Sequence, residues 1–117
     1  MKEIFQPAKS GRSDIEQFLV IETESLDWQD SGIPGFQHKV LYREENDAIE
    51  TMLIEMAPGA FSDSHSHDRR EQIYVINGDF YDQNHRYKAG DFLMREPETN
   101  HIAGSDGGAL ILLVFSK

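Results

Sequence analysis

From Phe36 onward the apolar and polar positions keep a two-residue beat, the period of a strand with one face covered and the other wet. Between Glu50 and Met56, Met52, Ile54 and Met56 fall on one face and Thr51, Leu53 and Glu55 on the other, and Pro58-Gly59 ends the run. Glu71 to Asn77 alternates again. Asn77-Gly78 is a dipeptide preferred in tight hairpins because both positions tolerate positive φ, so it predicts a turn with Phe80 and Tyr81 opening the return strand. Lys88-Ala89-Gly90-Asp91 predicts a second turn before Phe92-Leu93-Met94. Ala109 to Phe115 is almost continuously apolar, which predicts a strand buried on both faces. The one helical signal is Ser13 to Leu19: Ser13 is a suitable N-cap, Glu16 completes a capping box, and the β-branched Val20-Ile21 keep it short. Short strands with frequent turns predict an all-β sandwich or barrel.

Length sets the organisation. A chain of 117 residues has room for one core, so residues 1–117 are expected to form a single domain, with 1–30 as an N-terminal extension and 36–116 as the barrel. Eleven Lys and Arg against 21 Asp and Glu leave a formal charge of -10, which repels phosphate backbones and argues against a nucleic-acid partner. No apolar run approaches the ~20 residues of a spanning helix, and the opening Met-Lys-Glu-Ile-Phe-Gln-Pro lacks the apolar stretch of a signal peptide. No membrane partner and a cytoplasmic location are therefore expected. The absence of cysteine removes disulfides, thiolate nucleophiles and iron–sulfur clusters, and leaves nitrogen and oxygen as the only metal donors.

The chemistry concentrates between residues 59 and 101. His65 and His67 are two apart, which points both rings to one side of an extended chain, and Glu71 would share that face if the strand continued unbroken. Imidazole with carboxylate suits Zn, Fe, Mn, Ni or Cu. An isolated His-x-His in a serine-rich loop is more often a solvated pair, so the case rests on the positions around it. Gly59, five residues, His65-Ser66-His67, three residues, Glu71, six residues and Gly78 reproduce at every fixed position the first motif of the cupins, which this chain resembles. The second motif starts at Gly90 and reaches His101 with the right count, but Glu96 stands where proline is expected, Glu98 where glycine is expected, and Ser105 where asparagine is expected. A residue at 98 that needs positive φ would carry a conformational cost without glycine.

The resemblance implies a double-stranded β-helix, or jelly-roll barrel, with one divalent transition metal per chain on His65, His67, Glu71 and His101, iron foremost and zinc, manganese or nickel as alternatives. Gly78-Asp79-Phe80-Tyr81-Asp82, Tyr87-Lys88-Ala89-Gly90-Asp91 and Trp28 are similar to the branch that includes acetylacetone-cleaving dioxygenases and the cupin domains of anti-sigma factors. The implied function is a metal-dependent dioxygenase or related oxidoreductase on a small organic molecule. A non-catalytic ligand- or metal-sensing cupin and an Mn- or Zn-dependent isomerase or lyase are the alternatives, and a homodimer is the implied assembly. No catalytic residue is assigned; Glu98 is the candidate acid or base. Phe61, Tyr74 and Arg69 are candidates for the substrate pocket, although barrel aromatics are commonly core and loop arginines commonly pair with nearby acids. His38 reads as a packed or hydrogen-bonded strand residue and His85 as surface.

Overall fold

The computed structural model describes Ile4, Phe5, Pro7 and residues 18–117, and all but Phe18 and Leu19 of the helix expected over Ser13 to Leu19 lies outside them. Among the described residues the only helical element is a 3-10 turn, Thr23–Ser25. The rest is β: β1 Gln29–Asp30, β2 Phe36–Arg43, β3 Ile49–Met56, β4 Phe61–His65, β5 Arg70–Tyr81, β6 Arg86–Lys88, β7 Phe92–Arg95, β8 His101–Gly104 and β9 Ala109–Ser116. Every pairing is antiparallel, in the order β1-β2-β3-β9-β5-β8-β4, with β6 and β7 also on β5. This is a curled all-β barrel, one of the two all-β forms that the alternation and turns predict and the one that the resemblance implies.

The long strand β5 makes the curl. Its first half pairs with β9 and β7, and its end pairs with β6 and β8. Between the halves sits Asn77-Gly78, which is not the expected hairpin turn. The chain runs straight on through it, and the register against β9 slips between Val75 and Asn77. Gly78 supplies the positive φ, +79°, to a β-bulge rather than to a turn. A Cβ there would stand 2.0 Å from the Gly108 carbonyl oxygen, so the close approach of the two backbones demands glycine. Reversal comes four residues later: Asp82 N–H donates to the His85 carbonyl while its Oδ1 accepts from the N–H groups of Asn84 and His85. The second expected turn is present, closed by Asp91 N–H on the Lys88 carbonyl.

Inward-facing residues of β3, β5 and β9 meet in one core with Phe36, Met56, Ile73, Val75, Phe80, Ile111, Leu113 and Phe115. Val75, Phe80 and Ile111 are at most 2% exposed, and removing each such side chain from water contributes roughly 1.5–3 kcal/mol. Strand β9 is covered on one face only. Ala109, Ile111, Leu113 and Phe115 are buried, while Leu110, Leu112 and Val114 are half-covered, because Leu112 lies beside Tyr74 and Tyr74 beside the exposed Phe92 on the outer side of the sheet. Ser105, the departure from the expected asparagine, is 1% exposed and ties the corner before β9, donating to the Asp79 carbonyl at 2.5 Å and accepting from Gly108 N–H at 2.8 Å.

Candidate metal centre

Three elements carry the imidazoles. His65 ends β4 and faces His101 at the start of β8 across the ladder, while His67 lies in the loop that leads to β5. The strand is therefore broken between His65 and Glu71, and Glu71 arrives from β5, flanked by Arg95 of β7 and Phe115 of β9. One nitrogen from each of His65, His67 and His101 lies within 4.8 Å of the others, and the ring centroids are 4.3 to 5.5 Å apart. Metal–imidazole bonds are about 2.0–2.1 Å, so three nitrogens this close form a cluster that could hold a metal ion.

Hydrogen bonding prepares those nitrogens. Nδ1 of His65 is 2.7 Å from the Asp63 carbonyl oxygen and Nδ1 of His101 is 2.9 Å from that of Thr99. A carbonyl oxygen only accepts, so both Nδ1 atoms carry the proton and both Nε2 atoms keep a free lone pair. Burial pushes the His101 and His67 imidazoles below their ordinary value despite the nearby Glu71 carboxylate, which opposes the shift; His65 adds to it in both cases. Neutral rings are what metal binding requires. The His67 ring also packs on Phe115, centroids 4.8 Å apart, and its carbonyl accepts from Glu98 N–H at 2.7 Å. The donor set therefore fits a borderline divalent ion.

Glu71 is 5% exposed and stands beside the cluster, with Oε2 3.6 Å from His67 Nε2 and Oε1 3.7 Å from His101 Nε2. Arg95 donates to Oε1 at 2.5 Å and, through its other terminal nitrogen, to Asp82 Oδ2 at 2.8 Å. Burial alone would raise the Asp82 carboxyl, but hydrogen bonds from Arg95, Tyr87 and two backbone N–H groups bring it down to about 2. Burial first, and then Asp82, pushes the Tyr87 hydroxyl up to about 12.

The imidazoles open onto a chamber of about 560 Å³. Met52, Ile54, Met56, Ile73, Ile111 and Leu113 form much of its wall, which is the face that the alternation of β3 and β5 assigns to the interior. The pocket candidates lie elsewhere. Phe61 and Tyr74 are 48% and 47% exposed and stand outside the lining, on the opposite strand faces from Ser62 and Ile73. Arg69 is held by the Glu50 carboxylate and the Asp47 carbonyl, 3.0 Å from each, with its guanidinium over Phe115. Glu98 is on the surface, outside the lining, and its φ of +65° meets the requirement that the glycine-to-glutamate departure raised. His38 does reach the chamber, as a strand residue hydrogen-bonded through Nδ1 to Ser31 Oγ at 2.7 Å. Sequence reasoning missed Ser31 and Arg95. For Arg95 a signal existed: it shares strand parity with the inward Leu93, and a charged residue there calls for a buried partner.

A profile of the ChrR cupin-like domain family matches residues 16–117. No curated protein matches the chain. Among solved structures, KdgF from Halomonas sp. is 29% identical, with 82% of this chain and 91% of that one covered and a TM-score of 0.68. The complex of Rhodobacter sphaeroides SigE with the anti-sigma ChrR gives 24% identity and a TM-score of 0.67, with 80% of this chain but 50% of that one covered. A candidate acetylacetone dioxygenase from Methylibium petroleiphilum gives a TM-score of 0.75 over 93% of this chain and 81% of that one, at 12% identity, a likeness of fold alone.

Proposed function

The chain belongs to the ChrR cupin-like domain family, and from that premise we propose that it is a metal-dependent dioxygenase acting on a small, largely apolar organic molecule. The reading rests above all on three imidazoles, two with Nε2 freed by a bond from Nδ1, converging on the wall of an apolar chamber. His65, His67 and His101 would hold the ion, with Glu71 as a fourth donor. Iron held there would supply the electron transfer that dioxygen chemistry needs, and a diketone or phenol is the class of substrate that such a centre would suit. The chain's own share is to keep the His67 and His101 imidazoles neutral by burial, to orient His65 and His101 through the Asp63 and Thr99 carbonyls, and to surround the substrate with apolar wall that limits water. A volume of about 560 Å³ is ample for a small diketone or phenol.

The test is metal content and oxygen consumption. Protein purified without an affinity tag should carry near-stoichiometric iron and consume oxygen with diketones or phenols, and His65→Ala/His101→Ala should lose both. Turnover that continues unchanged without oxygen, on zinc or manganese, would replace this reading with an isomerase or lyase. A second reading, a ligand- or metal-sensing module, is favoured by the likeness to the ChrR component of the SigE complex. It predicts stoichiometric metal or ligand binding with no turnover of any substrate offered.

A further inference from the structure

Arg95 joins the candidate centre to a fixed chain of groups. Its side chain is 9% exposed, and those of its two partners, Glu71 and Asp82, are 6% and 5% exposed. Asp82 cannot follow any movement of the guanidinium, because Oδ1 accepts from Asn84 N–H at 2.8 Å and His85 N–H at 2.9 Å while Oδ2 accepts from the Tyr87 hydroxyl at 2.8 Å. Tyr87 is itself stacked on the core ring of Phe80, centroids 4.7 Å apart. Cross-strand register sets Arg95 directly opposite Glu71. The result is a guanidinium anchored from behind and gripping one oxygen of the carboxylate that borders the imidazoles.

We propose that Arg95 is a positioning residue that holds Glu71 Oε1, so that Glu71 offers a metal only Oε2, and offers it weakly. The inference rests on the reading of this cluster as a metal centre. Two physical effects act together. A short, buried, charge-assisted bond occupies one lone pair of Oε1 and ties that oxygen to Arg95, which disfavours a clasp through both oxygens. The guanidinium charge also neutralises the carboxylate, leaving a donor set close to that of three neutral imidazoles, which binds a dication less tightly than a set with a free carboxylate. Arg95 thus trades metal affinity for positions left open to substrate, and the strength of Glu71 as a ligand is set from β7 and the Asp82 turn rather than by Glu71 itself.

Co(II) is the probe, titrated against a chelating competitor, with its visible spectrum reporting coordination number. Arg95→Gln leaves two buried acids without their partner, so Arg95→Gln/Asp82→Asn, compared with Asp82→Asn alone, provides a charge-balanced second variant. Removing Arg95 should tighten Co(II) binding by about tenfold and weaken the visible band as Glu71 joins the ion fully. Outer partners of metal ligands produce changes of that size, but the direction here is opposite to the usual one because this partner competes with the ion for the carboxylate. In a Glu71→Gln background the same removal should change affinity by less than about twofold, as the coupling requires. An arginine with a purely structural role would lower stability and leave Co(II) affinity and spectrum unchanged; that result, or tightening that persists without Glu71, overturns the proposal while the metal centre stands. If the unaltered protein binds no Co(II), Zn(II) or Fe(II), the metal reading and this proposal fall together.

Discussion

Glu98 sits in left-handed backbone, φ +65°, on an exposed loop. That conformation costs a non-glycine residue about 1–2 kcal/mol, because Cβ crowds the following carbonyl oxygen. Glycine avoids the clash but gives up about 0.5–1 kcal/mol through the greater freedom of its unfolded chain. The difference predicts that Glu98→Gly stabilises the protein by about 0.5–1 kcal/mol, or a few degrees in Tm for a domain of this size. Removing a negative charge from a chain of net charge -10 could stabilise it by another route. Glu98→Ala separates the two, since it deletes the carboxylate and keeps the Cβ. Urea denaturation of metal-free wild type and both variants should give Gly above wild type and Ala near it. The bond to the His67 carbonyl comes from the backbone of residue 98, so metal affinity should be the same in all three. A glycine variant less stable than wild type, or an alanine variant that gains as much, would refute the argument from backbone strain.

Gly78→Ala should cost more than about 3 kcal/mol and leave little folded protein, because its Cβ would meet backbone on β9 that cannot move aside, 2.0 Å from the Gly108 oxygen and 2.8 Å from the Ala109 Cα; circular dichroism and expression yield would read this out. Asp82, brought from the ordinary 3.8 to about 2, contributes roughly 2 kcal/mol that is present above about pH 4 and lost as pH falls toward 2. Asp82→Asn should be less stable at neutral pH and should lack that part of the acid dependence in urea titrations. His67 and His101 are depressed by burial, so below about pH 6.5 the unfolded chain takes up protons that the folded chain refuses. Metal-free protein should therefore lose stability from pH 7.5 to 5.5, and His67→Gln/His101→Gln should flatten that slope.

The count of residues between motif positions, through its likeness to the cupins, marked His65, His67, Glu71 and His101 as one candidate set, and alternation was enough to turn Met52, Ile54 and Met56 inward. The meeting of the three imidazoles with Glu71 beside them belongs to the fold. Parity and count are local properties, since a strand's parity and a motif's count survive whatever the rest of the chain does. The conformational cost at residue 98, conditional on a positive φ, was legible for the same reason, as a departure from glycine at a counted position, and the φ of +65° meets that condition. Tertiary structure decided what depends on partners far away in the chain. Asn77-Gly78 has the same local conformational licence in a hairpin and in a bulge, and pairing with β9 some thirty residues onward selects the bulge. The half-covered outer face of β9 reflects neighbours, not hydrophobicity, because the same apolar run would be buried on both sides under a second layer. Phe61 and Tyr74 were plausible wall by residue type, yet parity turns them outward, while Ser31 and His38 reach the chamber only because β1 and β2 fold over it. The grip of Arg95 on Glu71 needs two strands in register and an Asp82 turn behind them, and no local pattern encodes the energy of a charge pair that exists only when the barrel closes.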